Sequence, residues 1–147
     1  MTTTQSSNPV RGATGTNETR IIGGDRDSSG PGPSVMDADT LIGNDVVNAA
    51  NDKLGTIEAI MLDVGRGRVA YAVLAFGGFL GIGEKLFAVP WQALILDADR
   101  KCFVLNVPKD RLERAPGFEK DHWPSMADER WGTEIHDYYG TRLYWVD

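Results

Sequence analysis

The sequence predicts a mainly β domain, an antiparallel barrel or sandwich, and three observations carry that expectation. From Leu41 onward, short runs rich in β-branched and aromatic residues recur, with Gly, Asn and Asp between them, the pattern of strands joined by turns. Their spacing is not that of alternating β and α units, which argues against a parallel sheet with crossover helices. Finally, "RVAYAVLAF" is apolar on both faces, with Val69, Tyr71, Val73 and Ala75 on one and Ala70, Ala72, Leu74 and Phe76 on the other. Such a strand is covered on both sides. In a small barrel the second cover is a helix, a terminal tail or another subunit.

The elements follow in order. Residues 1–35 are rich in Thr, Ser, Gly, Asn and Pro, too polar to offset their ordering entropy, and are predicted to be a disordered tail and linker. "RIIGG" is the one adhesive spot within them. The barrel region, residues 36–115, begins with "LIGNDVVNAA" and the turn residues Asn51 and Asp52. "LGTIEAIMLDV" follows and is closed by Gly65–Gly67; then come "RVAYAVLAF", a glycine-rich stretch and "EKLFAVPWQALILD". Pro90 removes a ladder donor, so the strand is bent, bulged or at an edge there. After the turn "ADRK" comes "CFVLNV", and "PKDRLERAPG" suits a short helix opened by Pro108 and stopped before Pro116. Residues 116–147 are an acidic, aromatic extension, predicted to be partly helical. Ser125 and Asp128 have capping-box spacing, and Trp131, Ile135, Tyr138 and Tyr139 share one helical face, while Gly132 weakens the helix. A helix with this stripe covers the barrel or holds a partner.

Charge and cysteine usage narrow the function classes. The 147 residues carry a formal net charge of -6. Residues 1–36 hold 3 basic and 3 acidic side chains, residues 37–115 hold 9 and 11, and residues 116–147 hold 3 and 7. No segment is a basic arm, which argues against nucleic acid as a partner. Cys102 is the single cysteine, so neither an internal disulfide nor a cysteine-based zinc site is available. In its strand-like run it reads as a small buried thiol. The first twenty residues lack the apolar region of a secretory signal, and a cytoplasmic location is expected.

The stretch "FGGFLGIGEKLFAVPW" approaches two phosphate-binding loops and matches neither. Gly78 and Gly83 stand at P-loop spacing, yet Glu84 separates Gly83 from Lys85, and Leu86 stands where a Ser or Thr would hold magnesium. Gly78, Gly81 and Gly83 reverse the dinucleotide fingerprint and lack its strand-to-helix context. No nucleotide and no cofactor is expected. The uncharged run "VAYAVLAFGGFLGIG" is shorter than the ~20 apolar residues of a membrane span, and its glycines make it a poor helix. It reads as a strand entering a hairpin whose tip carries Phe79, Leu80 and Ile82, apolar enough to fold over the core or form a contact. His122 and His136 lie among Asp121, Glu134 and Asp137 at a spacing that matches no known metal site. No metal site and no catalytic residue is assigned.

The stretch from "LIG" through the G-x-I of Gly55 and Ile57, "GRVAYAVLAFGG" and "LFAVPWQAL" resembles the PRC-barrel domain. This domain occurs in the reaction centre H subunit and in the ribosome maturation factor RimM. The resemblance covers about residues 36–115, and the C-terminal extension is similar to that of small stand-alone bacterial members. It implies a small six-stranded antiparallel β-barrel with short C-terminal helices, and a habit of protein–protein contact. The expected function is a non-enzymatic interaction or assembly module. It would self-associate, as a homodimer, or hold another protein through Phe79, Leu80, Ile82, Trp131, Tyr138 and Tyr139. The alternatives are a ribosome- or RNA-processing-associated factor, by analogy with RimM, and a small-ligand or metal-binding protein using His122 and His136.

Overall fold

β-Branched runs between turn residues become strands as expected. The computed structural model describes residues 18–24, 34–77 and 84–146. Among them are eight strands: β1 (Arg20–Ile22), β2 (Asp45–Val47), β3 (Lys53–Asp63), β4 (Arg68–Gly77), β5 (Glu84–Pro90), β6 (Leu94–Asp97), β7 (Cys102–Leu105) and β8 (Phe118–Glu119). The helices are α1 (Ala38–Leu41), α2 (Lys109–Glu113) and α3 (Glu129–Tyr139).

The strands form one sheet in the order β1-β6-β7-β2-β3-β4-β5-β8. This corrects the expected six-stranded antiparallel barrel: the sheet is eight-stranded, mixed and not closed by hydrogen bonds. The departure has a local origin. β5 ends at Pro90 and a 3-10 turn, Trp91–Ala93, leads into β6. β6 then pairs with β7 rather than β5, and β7 returns alongside β2 in parallel, with Val46 opposite Phe103. Each edge gains a short strand, β1 parallel to β6 and β8 antiparallel to β5. The sheet still curls around a common interior, because Val46, Leu54, Leu74, Phe87, Leu94 and Phe103, one from each of β2 to β7, join one buried cluster.

The expectation of a disordered tail falls mostly on residues outside those described. Where the tail is described, "RIIGG" docks. Ile21 pairs with Leu96, Ala98 donates to the Ile22 carbonyl at 2.9 Å, and Gly24 donates to Asp99 Oδ1 at 2.8 Å. Two adjacent β-branched residues suit an extended edge strand, and β6 offers them an unpaired ladder.

The helices agree with the sequence in position and differ in capping. α2 starts after Pro108 and buries Leu112. α3 is capped by Asp128, whose side chain accepts from the Arg130 N–H, and ends at Gly140 in the left-handed region. Ser125 instead lends its carbonyl to Asp128 in the preceding turn, so the capping-box pairing is not formed. α3 lies on the outer face of the sheet, where Ile135 joins Tyr71, Ala70 and Ala88 in a second buried cluster.

Gly55 explains the glycine in the G-x-I pattern. Its φ is +153°, and a Cβ there would stand 2.2 Å from the Ala75 carbonyl oxygen on β4. The ladder shifts register close by, between Val46 and Val47 on β2 and again between Ile57 and Ala59 on β3, and only a residue without a side chain lets the two backbones approach. Gly55→Ala should therefore destabilise the domain by about 3 kcal/mol or more, a size reserved for core clashes and strained backbone. Chemical denaturation would read the loss as a lower midpoint with an unchanged slope.

Candidate functional site

The two-faced strand β4 determines where candidate sites lie. Its inner face, with Ala72 and Leu74, belongs to the main core. Its outer face presents Tyr71, 1% exposed, beneath α3 and the residues that follow it. The Tyr71 ring meets Trp131 at 5.2 Å, His136 at 5.5 Å and Tyr144 at 5.7 Å, all edge-on, the favourable geometry for aromatic pairs. Its hydroxyl is buried without a hydrogen-bond partner among the described residues, and that burial pushes its pKa up. A Cβ at Gly132 would stand 2.8 Å from this hydroxyl and 2.9 Å from the Trp145 ring. Gly132, which weakens the helix locally, is thus a position where α3 has no room for a side chain over Tyr71.

His136 is wholly buried and held in one neutral form. Its Nδ1–H donates to the Gly132 carbonyl at 2.7 Å, and its Nε2 accepts the Tyr144 N–H at 3.2 Å. Burial lowers its pKa from the usual 6.5. His122 is exposed, 3.7 Å from Glu119. The structure does not bring the two histidines together, and no group of three or more metal-binding side chains occurs among the described residues.

Beside this aromatic packing is a cleft of ≈ 310 Å³, with Met61, Asp63, Arg66, Met126, Glu129 and Tyr144 in its walls. Asp63 ends β3 and organises the hairpin. Its Oδ1 accepts the Arg66 N–H at 3.0 Å, and its Oδ2 accepts the Arg66 guanidinium at 3.0 Å and the Tyr144 hydroxyl at 2.5 Å. The Tyr144 hydrogen bond, together with the Arg66 backbone and guanidinium, holds the Asp63 pKa at about 2. Tyr144 is pushed up to about 12 by burial and by Asp63. Arg68 also donates to the Tyr144 carbonyl at 2.8 Å. The cleft is a set of satisfied polar tethers that fasten the C-terminal segment to the β3–β4 hairpin.

A larger concavity, ≈ 760 Å³, opens where β1, α1 and the far ends of β3 and β4 meet. Ile21, Val35, Met36, Leu41, Ile60, Leu62, Val69, Trp91 and Leu96 line it, with Glu18 as its charged residue. Leu62 is 63% exposed and Val35 68%. This is an open apolar groove.

Of the residues expected to form a contact surface, Trp131, Tyr138 and Tyr139 are described, and each packs within the fold. Phe79, Leu80 and Ile82 lie outside the described residues. Trp131 packs on Tyr71. Tyr138 faces α2: its hydroxyl donates to the Arg111 carbonyl at 2.5 Å, and the Arg111 guanidinium lies 4.2 Å from its ring centre. Tyr139 is half-buried and packs against the core, with burial raising its pKa. Sequence reasoning missed Asp63, Tyr144 and the groove. "DVGRG" signalled a turn without revealing that its aspartate would meet a tyrosine eighty-one residues later.

Two measurements test this packing. Gly132→Ala gains up to about 1 kcal/mol of helix propensity, yet overpacking against Tyr71 and Trp145 costs about 1–3 kcal/mol. The expected outcome is a lower melting temperature. For His136, the unfolded chain takes up a proton at a higher pH than the folded one. Stability is therefore constant above about pH 7 and falls as the pH drops below the ordinary histidine value of about 6.5, by at most about 1.4 kcal/mol per pH unit. His136→Gln should flatten that part of a melting profile recorded from pH 5 to 8.

The PRC-barrel domain family model matches residues 33–112, more than half of the chain. Among solved structures, a putative 16S ribosomal RNA processing protein RimM from Pseudomonas aeruginosa is similar in part, with 16% identity and a TM-score of 0.37. The match covers 57% of this chain and 50% of that one, so this chain spans about half of that protein's length. No curated protein matches. With the family model matching more than half of its residues, the chain belongs to the PRC-barrel domain family.

Proposed function

We propose that this protein is a non-enzymatic interaction module that self-associates. The observation that carries the reading is the open groove, apolar along most of its wall and with Leu62 and Val35 exposed at it. A contiguous apolar concavity on a chain of this size is the feature of a contact site, and its formation removes that surface from water.

The titratable groups support a non-catalytic role. General acid–base chemistry uses groups whose pKa lies near the working pH. Asp63 is held at about 2 and Tyr144 near 12, and His136 has both ring nitrogens engaged inside the fold. Cys102 is buried and its pKa is raised by that burial, which suits a structural thiol and a reducing compartment such as the cytoplasm. No helix among the described residues is long and apolar enough to cross a membrane. The net charge of -6 disfavours the alternative of a phosphate-contacting, ribosome-associated factor.

Sedimentation equilibrium of the full chain tests the reading. The weight-average mass should rise above the 16.1 kDa of one chain as concentration increases. A constant monomer mass up to the highest soluble concentration would contradict it. Melting temperatures recorded with nucleotides and divalent metals should stay unchanged.

A further inference from the structure

Strand β1 pairs with β6 in parallel over three residues, Arg20 to Ile22, all of them exposed. Parallel pairing is the less stable kind per residue, and segments that bury few side chains open most readily. The ladder is short, yet specific groups fasten both of its ends. Just before β6, the Trp91 carbonyl accepts the Thr19 hydroxyl at 2.5 Å. Beyond Asp97, Ala98 donates to the Ile22 carbonyl at 2.9 Å, and Asp99 Oδ1 accepts the Gly24 N–H at 2.8 Å. Glycine is required at this second end. Gly23 and Gly24 have φ of +73° and +89°, and a Cβ at Gly23 would stand 2.5 Å from Asp99 Oδ2. In strand addition of this kind, backbone hydrogen bonds give affinity for an extended peptide and side-chain requirements give selectivity.

We infer that the outer edge of β6, between the Trp91 carbonyl and the Asp99 carboxylate, is a peptide-binding site, and that Thr19–Gly24 is a ligand the chain supplies to itself. The site takes an extended protein segment with a threonine at its start, two β-branched apolar residues for the ladder and two glycines at its close. The ligand detaches as a unit. Arg20, Ile21 and Ile22 belong to none of the buried clusters that hold the domain together, so their release leaves those clusters intact. A partner segment with the same pattern then pairs with the freed edge in trans. This site is separate from the contact that produces self-association.

The test uses the full chain and follows the Ala98 amide, which the docked strand protects, by hydrogen exchange in NMR spectra. Gly24→Pro removes the N–H that Asp99 accepts, and proline's fixed φ of about -65° is incompatible with the observed +89°. Ala98 should exchange at least about tenfold faster in this variant, while the core amides of Phe87 and Phe103 keep the parent's rates. A synthetic peptide of residues 18–24, added in excess, should slow Ala98 exchange again in Gly24→Pro and leave the parent unchanged. The same peptide with both glycines replaced by alanine should have no effect. Asp99→Ala is a second release variant: it should free the strand and, lacking the acceptor, respond to the peptide far more weakly. Ala98 exchange unchanged in both variants would overturn the inference, since the anchors would then hold nothing. Core amides that accelerate together with Ala98 would overturn it by making β1 inseparable from the fold. A peptide without effect on Gly24→Pro, or a glycine-free peptide of equal effect, would remove the selectivity and with it the site.

Discussion

Strand β4 is apolar on both faces, and the rest of the molecule is arranged to bury it twice. Inside, Ala72 and Leu74 complete a core to which β2 through β7 each contribute. Outside, Tyr71 would stand in water unless something lay over it, and α3 with the residues after it provides that cover. A fully buried aromatic of this kind is worth roughly 1.5–3 kcal/mol, comparable to a sizeable share of a small domain's net stability. The C-terminal extension is therefore part of the fold's energetics, although it lies beyond the residues that match the family.

The cover needs fastening as well as apolar contact, and the polar groups of the outer layer serve that end. Asp63 is supplied by the β3–β4 turn, meets Tyr144 and Arg66, and stays ionised. His136 joins the helix to the chain after it by donating a hydrogen bond to the Gly132 carbonyl and accepting one from the Tyr144 N–H. Buried polar groups are costly unless paired, and these find their partners within the fold. The same arrangement that stabilises the extension also forms part of the wall of the cleft beside it. The groove on the other side of the hairpin has few such groups.

Much of the fold was legible in the residues. The strand runs from Leu54 to Leu105, the helix after Pro108, the helical stripe of Trp131 and Ile135, and the two-sided burial of β4 all follow from local periodicity and turn chemistry. The glycine at position 55 was marked by the resemblance to the PRC-barrel pattern instead. The number of strands and their directions did not follow. Arg20–Ile22 and Phe118–Glu119 are short, and each is a strand only because an edge beside it had unpaired donors and acceptors.

Sequence alone determined that this chain forms a β domain with a helical, aromatic extension, because those properties depend on neighbours within a few residues. Tertiary structure alone decided three other things. It made the sheet mixed by returning β7 beside β2. It chose the C-terminal segment, from among a helix, a tail or another subunit, as the cover for Tyr71. It assembled the groove from Ile21, Met36, Ile60 and Leu96, residues up to 75 positions apart in the chain. Each of these depends on contacts between distant segments, which no local periodicity encodes.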